Sequence, residues 1–574
     1  MLGIRLRSRF LSLAPDTRIS IEWDHPMDII TEGRDLISSG FSVPIVIPMD
    51  DNNLSIIGPV HRLDFDGTYV KDEYCELWSM GVLLYMGSAT IKSVGRNRAS
   101  LYIIFNEVKS LEDTALSEID LGGSRDIGAD EDEIIAHMKD TAVSPLDYDY
   151  IFCPVLNPVY GTDTSGLNVN LVSSHMINRW MYGEDKFHKQ GRSVPFPRLD
   201  YLLTRIFTHL GYTLDNQWQT TDELRQLLLY SNREIRTAEG DLSPTLDLVD
   251  HVPYRTCLDL VKAVLSTYAI GLFPDPGTRT AMMRPLAEII TAAVHMDITH
   301  LAGAEYEADR DSKYISRLRY DIDTDDALSV DYSGVTFNQD AVTDEIDTVH
   351  DFVVYPGGTY YIRSDNTYYL LDLDSPTPTP QYITQDQKEI HPDDDGETYT
   401  SPLIPMWSSW DLTRRGWLKG SDPVDGDIDH QEMLTPHIRA QGYSLSQSWL
   451  RRPQIAFRTM LYRGLQPYDT GIDGTYPMAG VTRYNIRGEQ VGDISLLWDV
   501  DGGIYETYWQ VVYEMMRTAR RVTRQMRFDI AFLLQFRFYQ KYRIENQNVF
   551  FTRLRFELSS SGISPVEATM LTAP

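Results

Sequence analysis

Alternating apolar and polar residues run through much of this chain, and one stretch breaks the pattern: HVPYRTCLDLVKAVLSTYAIGLF, residues 251–273. Leu258, Val261, Val264, Leu265 and Tyr268 fall at helical spacing on one face. Thr256 and Asp259, three residues apart, make a capping-box pair at the start. Pro253 stands just before it, where a missing N–H costs a helix little. Gly271 is the expected stop. The spacing predicts one core helix inside a chain that is otherwise mostly strand, with no catalytic residue on it.

Ile19, Ile21 and Trp23 alternate as a half-buried strand does. Val43, Ile45 and Ile47 alternate among Pro44 and Pro48, which suits an edge or an extended arm. Val82 to Ile91, apolar on both faces through Met86, pairs across Gly95-Arg96-Asn97 with Leu101, Ile103 and Phe105 as a hairpin. A second hairpin spans 359–373: TYYIR, a Ser364-Asp365-Asn366 turn, then TYYLLDL.

Helix signals are fewer. Asp130, Glu131, Asp132 and Glu133 sit in a first turn, where carboxylates match the helix dipole. Leu199, Leu202, Ile206, Phe207 and Leu210 form a stripe ended by Gly211, and Thr220 with Glu223 caps a partner helix through Leu224, Leu227 and Leu228. Between Tyr148 and Val194, polar residues with Trp180 and Tyr182 read as a surface excursion. SPTPTP at 375–380 is a stiff linker or exposed loop. Residues 381–504, with Trp407, Trp410, Trp417 and Trp498 scattered through them, read as irregular β-structure. Tyr505, Tyr508, Trp509, Val512, Met516 and Ala519 mark an amphipathic helix. The strand-like runs FLLQFRFY, YRI and VFFTRLRFEL follow, with Phe551, Leu554 and Phe556 on a buried side. The pattern predicts a β-rich α+β fold: several mixed β-barrel or sandwich-like domains with a few packing helices.

At 574 residues the chain exceeds a single core and divides into about three to five domains. A net charge of −31 argues against general nucleic-acid affinity, which needs clustered Lys and Arg. Three widely spaced cysteines make neither a disulfide framework nor a zinc site, consistent with assembly in a reducing cytoplasm. The N-terminal apolar run is too short and interrupted for a signal peptide, and no run reaches membrane-spanning length, so a soluble protein without stable membrane insertion is expected.

Motifs for chemistry are missing: no GxxxxGKS/T, no GxGxxG between strand and helix, no HExxH, no GxSxG. His295 and His300, five apart, do not share a helical face. Asp425, Asp427 and Asp429 have calcium-loop spacing, but His430 replaces the glycine and Pro436 the closing glutamate. Asp321, Asp323, Asp325 and Asp326 fail similarly, with Tyr332 at the closing position. Paired carboxylates for glycoside hydrolysis are defined by spatial separation, which 83 acidic residues leave unspecified. No catalytic, cofactor-binding or metal residue is assigned, and no enzyme activity or cofactor is expected.

One charge feature has direction. Between Val511 and Pro574, ten Lys and Arg stand against five Asp and Glu, a local +5 in an acidic chain. If the helix continues, Arg517, Arg520, Arg521 and Arg524 share a face through three- and four-residue spacings. That face either docks on an acidic surface or is a solvated, dipole-matched helix end.

The order of segments carries a resemblance. RFLSLAPDTRISIEW precedes the arm FSVPIVIPMDDNNLSIIGPVHRLD. A strand pair, YDYIFCPVLNP and VPFPRLDYLLTRIFTHLGYTL follow, then HVPYRTCLDLVKAVLSTYAIGLF and a β-region. This resembles tail proteins of phages and prophages of Bacteroidetes-type bacteria, the baseplate or tail-tip hub proteins. The match covers most of residues 1–300, and the Tyr505 helix with its following strands resembles the family's end. Residues 381–504 match nothing in it, and no lysozyme, transglycosylase or peptidase module is present.

The resemblance implies a virion structural protein made in the host cytoplasm: a homotrimeric, ring-forming hub. It would close the distal tail tube and join tube or distal-tail protein, tape measure, and spike, fibre or baseplate proteins. DNA would pass through at ejection without specific binding, past an acidic lining, and the 251–273 helix would brace the ring domain. The implied division is 1–126, an N-terminal β domain with extended arm; 127–240, a helix-containing connecting domain; 241–375, a second hub-like α+β domain; 376–504, an irregular decoration region; and 505–574, a helix and strands returning to the hub. Two alternatives stay open: a receptor-facing adhesion protein for host attachment, stacking Trp407, Trp410 and Trp417 on glycan, and a polysaccharide-cleaving virion enzyme.

Overall fold

The computed structural model describes residues 2–24, 39–62, 70–156, 176–235, 241–321 and 456–573 apart from short gaps within them, with separate strands between 342 and 439. The fold is β-rich α+β, and its largest element is a mixed sheet of fifteen strands. The main path runs Arg9–Phe10, Leu2–Leu6, Glu73–Ser79, Val82–Val94, Arg98–Ile104, Ser39–Ser42, Ile19–Asp24, Gln547–Ser559, Val566–Ala573, Arg521–Met526 and Ala302–Asp309. Strands from both ends of the sequence therefore meet in one sheet. Ile19–Asp24 pairs antiparallel with Arg553–Leu558.

Alternation explains the N-terminal strands. Ile4, Leu6, Ile19, Ile21, Leu101 and Ile103 are buried at every second position, as a sheet with one covered face requires. Val82–Val94 and Arg98–Ile104 form the expected hairpin, with Gly95 N–H donating to the Arg98 carbonyl at 2.8 Å. Ile45–Pro48 pairs on one side alone among the described residues, with Arg98–Leu101, as its prolines require. The 358–371 hairpin forms with Tyr360 opposite Tyr369. In Gln547–Ser559 the register against Val566–Ala573 shifts between Phe551 and Arg553. That irregularity lets Phe551 and Leu554, three apart, both lie buried.

The helix in the opening stretch spans Cys257–Thr267, and its capping box is formed: Asp259 N–H donates to Thr256 Oγ1 at 3.1 Å, and Thr256 N–H to Asp259 Oδ2 at 3.4 Å. It is covered on almost every side. Cys257, Leu258, Leu260, Val261, Ala263, Val264, Leu265 and Thr267 are all buried, so the single stripe expected from spacing understates its burial. Each fully buried Leu or Val contributes roughly 1.5–3 kcal/mol. Beyond the helix, Ile270–Asp275 and Thr280–Pro285 form an antiparallel hairpin, joined in parallel by Thr213–Asn216.

Gly271 does not end this helix. Ala269 takes the left-handed conformation (φ 48°) instead. Gly271 lies in the following strand, where an added Cβ would sit 2.7 Å from the Phe273 ring and 3.1 Å from Leu286. The glycine there answers a packing demand.

Other elements follow the same split between local and distant causes. Leu199–His209 ends at Gly211 (φ 73°), and Glu131–Val143 begins at an Asp130 cap. The helix expected after Thr220 is one turn, Asp222–Arg225, capped by Thr221; Leu227–Leu229 is a strand against Thr459–Leu461. FLLQFRFY is not a strand: Ile530–Gln535 is helical. Trp180, expected on a surface excursion, is 1% exposed against Phe187, and Trp498 is equally buried.

Candidate assembly surfaces

The arginine series does not lie on one helix. A π-turn at Tyr505–Trp509 leads into the helix Gln510–Thr518, and the chain then becomes the strand Arg521–Met526. Arg517 stays on the helix and pairs with Glu514 at 2.8 Å. Arg520 is exposed in the connection. Arg521 and Arg524 are on the strand, three apart, so they project to opposite faces. Arg524 is bound internally: it donates to Glu545 at 2.8 Å and to the Gly303 carbonyl, and lies over the Tyr306 ring. Strand pairing with Val566–Ala573 on one side and Ala302–Asp309 on the other overrides helical spacing here.

A cleft of about 550 Å³ opens where three distant parts of the chain meet. Trp23 and Leu84 come from the large sheet, Phe273 and Met282 from the hairpin after the central helix, and Leu534 and Tyr539 from near the C-terminus. Leu534 is 41% exposed at its mouth, and the Arg537–Asp275 pair spans 3.5 Å within its wall. The two-faced apolar run Leu83–Met86 is its trace in the sequence. The cleft can hold an apolar side chain or helix edge, and its charged lining is Asp215, Asp275 and Arg537.

Burial favours the neutral forms of one histidine and two thiols. Burial, with Arg233 nearby, pushes His251 down to about 3. Burial pushes the Cys257 thiol up to about 12 and the Cys153 thiol higher still. All three cysteines are buried and unpaired with one another. Such thiols are poor nucleophiles because the thiolate is the reactive form. Among the described residues, no group of three or more His, Cys, Asp and Glu is placed to hold a metal, and no helix is long and apolar enough to cross a membrane. Trp407, Trp410 and Trp417 lie outside the described residues, as do Asp323, Asp325, Asp326, Asp425, Asp427 and Asp429.

The strongest internal polar cluster is structural. Arg463, its side chain 1% exposed, pairs with Glu223 and donates to the carbonyls of Thr482 (2.8 Å) and Ile494 (2.6 Å). Glu223 also accepts from Asp493 N–H at 3.0 Å and Ile494 N–H at 3.1 Å. Gly492 lies so close to both side chains that a Cβ there has no room. Glu223, expected in a helix cap, ties three segments together instead.

No family model matches the sequence, and no curated protein matches it. Among solved structures, the chain is similar to phage tail proteins. The 43 kDa tail protein of prophage MuSo2 from Shewanella oneidensis aligns at a TM-score of 0.35 and 7% identity, over 100% of this chain and 98% of that one. The tail protein from Neisseria meningitidis MC58 aligns at 0.32 and 8%, over 100% and 95%. Prophage tail protein gp18 from Listeria monocytogenes EGD-e aligns at 0.29 and 7%, over 99% and 94%.

Proposed function

We propose that this chain is a structural component of a phage tail: a homotrimeric hub at the tail tip or baseplate, without a catalytic role. It closes the distal end of the tube, joins it to spike, fibre or baseplate proteins, and leaves a channel for DNA. The five-part division at residues 126, 240, 375 and 504 belongs to the same proposal.

The observation that carries this reading is the order of segments from RFLSLAPDTRISIEW to HVPYRTCLDLVKAVLSTYAIGLF. Two features of the fold support it. The capped helix is a buried brace from which a β-hairpin runs on, and strands from residues 2–104 and 521–573 complete one sheet. The buried, neutral thiols and histidine are consistent with a scaffold role.

Native mass spectrometry of the purified chain tests it, with a stable trimer expected; a monomer at all concentrations would overturn it. Imaging the particle would show copy number and position at the distal end of the tail. Robust glycan release from host cell walls would replace the structural reading with an enzymatic one.

A further inference from the structure

The two ends of the fifteen-stranded sheet are finished differently. At one, Arg9 and Phe10 fold back onto Leu2–Leu6. The Phe10 carbonyl accepts from Asn52 Nδ2 at 3.1 Å, and Asn53 accepts from Ser12 N–H at 2.8 Å while donating to the Ser12 carbonyl at 2.9 Å. Side-chain amides thus stand where a further strand would pair. Arg5 and Arg7 of this end are matched to Glu76 and Glu73, and Arg9 donates to Asn52 Oδ1 at 3.2 Å.

The other end is open. Ala302–Asp309 pairs with Arg521–Met526 and, among the described residues, with no strand on its outer side. Residues 304–309 are exposed on both faces, Tyr306 at 59%. Among the described residues, the outer backbone edge of 304–309 has no strand partner, and such an edge is a template for a strand from another chain. Glu305, Glu307 and Asp309 alternate, so they project to one face. Among the described residues, none of the three makes an ion pair. On the opposite face, Tyr306 and Ala308 border a groove of about 450 Å³ that runs inward over the sheet past Val522, Arg524 and Met570.

The same sheet carries the opposite charge on a second, shorter stretch of edge, beyond the Ile91 N–H that donates to the Val70 carbonyl at 2.9 Å. Val82–Val94 pairs with Glu73–Ser79 only as far as Ala89, so Lys92 to Val94 have no strand on that side among the described residues. Lys92, Arg96 and Arg98 at this end of the hairpin are exposed, and none makes an ion pair among the described residues. In a chain of net charge −31, copies repel one another. Contact is favoured where an acidic edge meets a basic one.

We propose that the Ala302–Asp309 edge of one copy pairs with the Lys92–Val94 edge of the next, with Glu305, Glu307 and Asp309 facing the cations Lys92, Arg96 and Arg98 at that end of its hairpin. The two surfaces differ, so the contact is head-to-tail and closes into a ring when the rotation allows. This rests on the ring reading above and names the surfaces that make it.

Charge reversal with rescue tests the contact, read by native mass spectrometry and sedimentation at low and high salt. Glu305→Lys with Glu307→Lys weakens self-association on the order of 100-fold, as does Arg96→Glu with Arg98→Glu. Combining all four restores it to within about 10-fold of the parent. Circular dichroism checks folding; should a reversal unfold the chain, Glu305→Gln with Glu307→Gln replaces it, expected to weaken association about 10-fold and flatten its salt dependence. A parent trimer that ignores both reversals, or a fourfold variant that stays monomeric, overturns the contact and leaves the ring reading standing. A parent that never associates overturns both.

Discussion

Trp509 Nε1 donates to the backbone carbonyl of Thr267 at 2.9 Å, joining residues 242 apart in sequence. The bond fastens the C-terminal segment to the last turn of the central helix, where Thr267 Oγ1 also meets Ser401 Oγ at 2.6 Å. Tyr399 and Trp498 pack around the indole, with ring centroids at 4.7 and 6.1 Å. Three separate stretches of chain therefore converge on the end of one helix.

Trp509→Phe keeps most of the buried area but leaves the Thr267 carbonyl without its donor, costing about 1–3 kcal/mol. Trp509→Ala adds a cavity and costs about 3–5 kcal/mol. Urea denaturation followed by circular dichroism measures both, and a Trp509→Phe variant as stable as the parent would show that the hydrogen bond contributes nothing.

Two positions after the helix should respond with opposite signs. Ala269→Gly relieves a left-handed alanine and is expected to stabilise by up to about 1 kcal/mol. Gly271→Ala forces a Cβ against Phe273 and Leu286 and is expected to destabilise by about 1–3 kcal/mol. Thermal melts of the two variants check the pair; a Gly271→Ala as stable as the parent would remove the packing demand from the account.

Removing Glu223 strands a buried guanidinium. Burial already pushes Arg463 below its ordinary value, so Glu223→Ala is expected to cost about 3–5 kcal/mol. Arg463→Met together with Glu223→Leu should recover only part of that loss: it removes the stranded charge but leaves the Thr482 and Ile494 carbonyls and the Asp493 and Ile494 N–H groups without these partners. A double-mutant cycle in urea measures the coupling, and additive losses would contradict it.

His251 gives a pH dependence of known sign. Its folded value, about 3, lies below the unfolded value of about 6.5. Between these the unfolded chain binds the extra proton, so stability is full above about pH 6.5 and falls as pH drops toward 3. At pH 4.5 the loss from this group is on the order of 2–3 kcal/mol. His251→Gln should flatten the melting-temperature profile in that window relative to the parent, and parallel profiles would remove His251 from the account.

Features determined within a few residues were legible in the sequence. The Thr256–Asp259 box, the acidic start of the 131–143 helix, the Gly211 stop and the Gly95 hairpin each depend on local backbone geometry. Arg521–Met526 was not legible, because RTARRVTRQMR carries cations at helical spacing and its strand state comes from partners distant in sequence. The same holds for Leu227–Leu229 and for Gly271, which answers to an aromatic ring two residues on. Of the surfaces, the cleft left one trace, the two-faced apolar run Leu83–Met86. The arginine face dissolved once Arg524 had found Glu545 and Gly303.

Arg18 and Glu557 form an ion pair across 539 residues of sequence, beside strands that meet near the middle of the sheet. At a synthesis rate of 5–20 residues per second, the N-terminal strands emerge roughly half a minute to two minutes before their partners. Through that interval Ile19 and Ile21 wait beside an unpaired backbone edge, the condition under which β-chains aggregate. Nascent copies growing side by side on one message would meet in that state, so the yield of native protein should depend on how densely ribosomes follow one another.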